Sequence, residues 1–185
     1  AVRNSATGDA SSHYIIIVGQ DTRPTVFRGF MTFPIPAGTV YSAASLFIMG
    51  FDNASTDDFD IYLLAASYGY PLSQVSFNDF SGWAASGVYS VTPLNNTWRS
   101  MDYPGDDVWW EIPLNAAGLA AVEAAAGTNL LLAIVSVEDC NESAPTSYER
   151  ISFYSSTEAD KEPYLQLVYT PPTVYTIDVG GELEF

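Results

Sequence analysis

The chain has 185 residues, 48% hydrophobic and 14% aromatic, which suits one domain with a sizeable core and is too apolar for a disordered chain. Its 22 acidic against 6 basic residues give a formal net charge of −16, which repels phosphate backbones and anionic lipid and excludes a nucleic-acid binder. No run approaches the ~20 apolar residues of a bilayer span, so no membrane insertion is expected, and Cys140, the only cysteine, leaves no intrachain disulfide.

Short runs rich in Val, Ile, Tyr, Phe and Thr, spaced by Gly and Pro, predict an all-β domain. Tyr14-Ile-Ile-Ile-Val18 reads as a first strand ending at Gly19. In "TVFRGFMTFPIPAG", Phe27, Gly29, Met31 and Phe33 alternate with Val26, Arg28, Phe30 and Thr32, until Pro34 and Pro36 stop the strand. Thr39 to Met49 is apolar on both faces, as a strand inside a sandwich would be. "FDIYLLAA" alternates again at Phe59, Ile61 and Leu63. From Ser67 to Asp107 the pattern weakens, which predicts short strands and long surface loops.

"DVWWEIPL" restores a strand, in which Trp109 and Trp110 must point to opposite faces. The one helix signal is "NAAGLAAVEAAAG", with Asn115 as N-cap, Leu119, Val122 and Ala126 at helical spacing, and Gly127 at the end. "NLLLAIVSV" should be a central strand, and "YERISFYS" and "PYLQLVYT" alternate once more. Nine or ten strands with one short helix predict a jelly-roll-like antiparallel β-sandwich over residues 1–169.

Pro171-Pro172 makes residues 170–173 a stiff hinge, and residues 174–185 a C-terminal strand extension. In that extension Tyr175, Ile177, Val179, Leu183 and Phe185 fall on one face, opposite Thr176, Asp178, Glu182 and Glu184. Burying five such side chains is worth roughly 1.5–3 kcal/mol each, so a cover for that face is expected. The start at Ala1, without a Met or an apolar leader, fits a processed product or an excised segment.

Several segments resemble the DNRLRE-type domain, which is related to family 96 carbohydrate-binding modules. "VFRGFMTFPIPAGTVYSAASLFIMG" looks like its opening hairpin, "QVSFNDFSGW" its central aromatic loop with Phe77 where Trp is usual, and "WWEIPLNAAGLAAV" its strand-to-helix passage. "FYSSTEADKEPYLQLVYT" is similar to its closing signature. The resemblance spans about Val26 to Thr170 and implies a jelly-roll module of exported, surface-attached or particle-attached proteins, mostly without catalysis, some of which bind polysaccharide.

Residues for chemistry are few. With His13 and Cys140 each alone of its kind, a Ser-His-Asp triad would need a residue near the terminus, and a Cys/His zinc site lacks ligands. The acids offer many carboxylate pairs for glycoside hydrolysis, and spacing selects none. Asp52, Asp57, Asp58 and Asp60 in "DNASTDDFD" form a hard-oxygen cluster of the sort that Ca²⁺ prefers, without the Gly turn and final Glu of an EF-hand. Trp83, Trp98 and Tyr103 are candidate platforms for a sugar ring, and the alternative for each is a ring that pins a loop to the sandwich. Arg28, mid-strand in so acidic a chain, should form a buried ion pair that holds the sheets in register. Asn53, Asn95 and Asn141 begin sequons that a secretory host could glycosylate.

Together these features lead us to expect a non-catalytic structural and adhesion module of an extracellular, cell-surface or virion-surface assembly. Its partners would be copies of itself or neighbouring subunits, joined by the C-terminal strand. The alternative is a carbohydrate-binding module that uses loop aromatics on a polysaccharide.

Overall fold

The structure, a computed structural model, describes residues 15–21, 25–38, 40–68, 77–84, 87–145 and 147–169. They form an antiparallel β-sandwich of nine strands: β1 (Ile15–Asp21), β2 (Thr25–Phe27), β3 (Gly29–Pro34), β4 (Tyr41–Asn53), β5 (Ile61–Ala65), β6 (Trp109–Pro113), β7 (Asn129–Ser136), β8 (Glu149–Tyr154) and β9 (Tyr164–Tyr169). The larger sheet runs β2-β1-β8-β4-β6, with β9 also paired to β4, and the smaller runs β3-β7-β5. The hinge and the C-terminal extension lie outside the described residues, as does His13.

The sheets meet through their alternating faces. Val18, Leu46, Ile48, Ile151 and Phe153 of the larger sheet pack on Met31, Phe33, Ile61, Leu63, Leu132 and Ile134 of the smaller. Each fully buried aliphatic side chain contributes roughly 1.5–3 kcal/mol. Strand β7 is central, as its two apolar faces require: Leu130, Leu132 and Ile134 enter this core, while Ala133 and Val135 enter a second one with Leu64, Phe80, Tyr89 and Cys140. Phe80, Trp83 and Tyr89, from the stretch expected to be surface loops, therefore belong to a third layer over the smaller sheet. Among the described residues of that stretch, β-pairing consists of isolated bridges such as Ala66 with Phe80 and Asn95 with Leu114.

The expected single strand through Arg28 is two strands in different sheets. β2 pairs with β1 and β3 pairs with β7, so the chain crosses between layers at Arg28. β1 continues through Gly19 to Asp21 rather than stopping there; a Cβ on Gly19 would sit 1.8 Å from the Glu149 carbonyl oxygen, and its φ of +121° admits only glycine readily.

Helix α1 (Ala116–Ala124) starts where expected, with the Asn115 side-chain oxygen accepting from the Gly118 N–H at 3.0 Å, and Gly127 at φ +80° follows its end. A second helix, α2 (Val137–Asn141), replaces the expected end of β7. Ser136 caps it by accepting from the Asp139 N–H, and the acids Glu138 and Asp139 in its first turn suit the positive end of the helix.

Candidate functional site

The exposed platform expected at Trp98 is not what the fold builds. Trp98 is only 4% exposed; its ring meets Trp110 edge-on at 4.9 Å and tilts against Phe153 at 5.7 Å, so both faces are taken by the core. Tyr103 is half-buried beside them, edge-on to Trp110. Its hydroxyl donates to Asp106 at 2.7 Å, and burial followed by that bond holds its pKa well above the usual tyrosine range. Gly50 admits this ring, since a Cβ there would lie 2.6 Å from it. Trp83 packs half-buried against the second core and tilts toward Tyr89. All three rings pin loops to the sandwich. Beside Trp98 and Trp110 a cleft of about 130 Å³ opens, rimmed by Asn96, Asp102 and Glu111.

Both adjacent tryptophans are partly buried. Trp110 joins the Trp98 cluster, whereas Trp109 turns to the other face and packs edge-on against Tyr164, which stacks on Phe47 at 4.8 Å.

The acidic loop does not converge on one point. Asp58 and Asp60 share Arg99, at 2.9 and 3.4 Å, and Asp58 also accepts from the Met101 N–H. Asp57 accepts from the Ser147 hydroxyl, while Asp52 acts on Tyr103. Among the described residues no three His, Cys, Asp or Glu side chains are grouped to hold a metal ion. The carboxyl of Glu138 on α2 is perturbed: burial, then the charges of Glu149, Asp60 and Asp58, push its pKa up to about 7. The Asn95 sequon is buried, its amide donating to the Ile61 and Asn96 carbonyls, which leaves no room for a glycan.

Arg28 supplies the ion pair that its setting required. Its side chain and that of Asp139 are both fully buried, joined at 2.7 and 3.0 Å in a bidentate pair. The remaining guanidinium N–H groups donate to the Phe77 carbonyl, the Asn78 side chain and the Tyr89 hydroxyl at 2.7–2.9 Å, and the Phe77 ring lies 4.1 Å away. The pair ties the crossing point between the sheets to α2 and to the third layer. Lys161, the only lysine, closes the turn before β9 by bonding Asp107 at 2.5 Å and lying 3.9 Å from the Tyr154 ring.

The apolar assembly residues Tyr175, Ile177, Val179, Leu183 and Phe185 lie outside the described residues. Directly before them, β9 carries an exposed apolar strip: Tyr164 is 42% exposed, Val168 50% and Tyr169 62%, with Val40 at 68% on the neighbouring strand's approach. No helix among the described residues is long and apolar enough to cross a membrane. No protein-family model matches the chain, and no curated protein matches it either.

Proposed function

We propose that the protein is a non-catalytic structural and adhesion module of an extracellular assembly, a filament or a virion surface, whose subunits join through the C-terminal strand of one docking on the next. One observation carries this reading: five apolar side chains alternate along residues 174–185 after Pro171-Pro172, with acidic and polar residues on the opposite side. A strand of that pattern gains most by adding to a sheet edge, where backbone groups pair and alternate side chains are buried together. The buried tryptophans support the reading, because they are spent on packing. The test is the mass of the full chain by light scattering beside a chain lacking Thr173 to Phe185. Loss of oligomers on deletion supports the reading, and equal masses refute it.

A second reading, the carbohydrate-binding module, is favoured by the cleft at Trp110 and its polar rim of Asn96, Asp102 and Glu111. Saturable binding on a neutral glycan array, lost in Asp102→Asn and retained in the tail deletion, would select it.

A further inference from the structure

We propose that the outer edge of β9 is the acceptor for residues 174–185 of a second copy of this chain, an inference that rests on the assembly reading above. Five strands have one strand neighbour among the described residues: β2, β3, β5, β6 and β9. Four of them are poor acceptors. β2 has three residues. β5 is already capped, since the backbone of Ile61 and Leu63 bonds to Leu94, Asn95 and Trp98. β3 ends in Pro34, and its Met31 carbonyl accepts from the Tyr68 hydroxyl. β6 carries Glu111 and ends in Pro113, so it offers a negative charge and a missing N–H.

β9 differs from all of these. Its six residues, Tyr-Leu-Gln-Leu-Val-Tyr, hold no charge, no Gly and no Pro; no lysine blunts the edge, and the register shift in its ladder with β4 is confined to its last two residues, opposite Tyr41 and Ala43. In a chain of net charge −16 such a stretch is the surface on which a donor bearing Asp178, Glu182 and Glu184 meets least repulsion. Val168 and Tyr169, on opposite faces of β9, are both exposed, so the row of Tyr175, Ile177 and Val179 meets an apolar side chain on whichever face it lies. Twelve residues extend to about 40 Å, against about 20 Å for the six of β9, so the donor covers the edge in full.

The donor comes from another copy because of what precedes it. In the sequence Thr170-Pro171-Pro172 each proline disfavours a turn conformation at the residue before it, which works against the reversal that a return onto its own β9 would require.

The test is the assembly of the full chain, with Val168→Glu and Val168→Lys beside the parent and the Thr173–Phe185 deletion. Val168 is half-exposed, so both variants should keep the parent's far-ultraviolet dichroism and melting temperature; where Val168→Glu does not, Tyr169→Glu replaces it. We expect Val168→Glu to weaken assembly by about tenfold or more, through repulsion of the acidic donor, and Val168→Lys to retain it. Assembly of folded Val168→Glu equal to the parent's, with the deletion dissociated, would overturn the β9 acceptor and leave the assembly reading standing. A deletion that assembles like the parent would refute both.

Discussion

Removing the carboxylate of Asp139 should cost the fold a large share of its stability. All three guanidinium nitrogens of Arg28 have partners, two of them bonding Asp139, and both side chains are fully buried. Asp139→Ala leaves that charge without a counter-ion in a dry site, which typically costs about 3–5 kcal/mol. Arg28→Met should cost a similar amount, because it strands Asp139 together with acceptors on Phe77, Asn78 and Tyr89. The double variant removes both charges, so its cost should fall short of the sum by at least about 2 kcal/mol. Urea unfolding followed by tryptophan fluorescence reads this directly: with a slope of about 2 kcal/mol/M, each single variant lowers the midpoint by about 1.5–2.5 M. Additive single and double costs would refute the argument that the pair is one desolvated unit, and so would single costs below about 1 kcal/mol.

Three further perturbations follow from the geometry. Glu138 is pushed up to about 7 by burial and neighbouring acids, so the native state binds its proton more tightly than the unfolded chain does. Its penalty is absent below about pH 4.5 and complete above about pH 7; stability from this group therefore falls as pH rises through that window, and Glu138→Gln should gain about 1–2 kcal/mol at pH 8, after allowance for solvent screening, and little at pH 4.5. Trp98→Ala should destabilise by about 3–5 kcal/mol in thermal or urea unfolding, since it empties a core site between Trp110 and Phe153. Gly50→Ala should lose about 1–3 kcal/mol, because its Cβ would lie 2.5 Å from the Gly105 carbonyl oxygen and 2.6 Å from the Tyr103 ring; calorimetric melting checks it.

Local periodicity made the strands legible, and long-range placement was not legible. β7 reads as central because both its faces are apolar, and α1 reads correctly because Asn115 and Gly127 mark its ends with short-range chemistry. The need of Arg28 for a carboxylate follows from its place in an apolar strand, but the partner lies 111 residues away and no local pattern names it. The third layer was missed because Phe80 and Tyr89 sit among Gly, Asn and Ser without period; their burial depends on the smaller sheet's outer face, which sequence spacing does not reveal, just as it does not reveal that Leu94 and Trp98 enter the core between the sheets. α2 had a signal, the Ser136-Val-Glu-Asp139 cap, masked by the apolar run before it. The split at Arg28 had none, since alternation continues across the crossing.

The distribution of charge explains why recognition in this molecule should be apolar. Arg28 is committed to Asp139, Arg99 to Asp58 and Asp60, Lys161 to Asp107, and Arg150 lies 5.5 Å from the Tyr148 ring. The described cations are thus engaged within the chain, Arg28 in the interior and Arg99 and Lys161 at the surface, while the acids exceed them in number. Two copies of such a surface repel one another wherever acids meet, and that repulsion reaches only about 8–10 Å at physiological salt. Contact between copies is then least opposed where a strip of backbone is free of charge over a length comparable to that screening distance. β9 provides such a strip, and the alternation of residues 174–185 provides a segment with one side free of charge to lie against it. Salt should therefore strengthen the contact, whereas it would weaken one made by ion pairs.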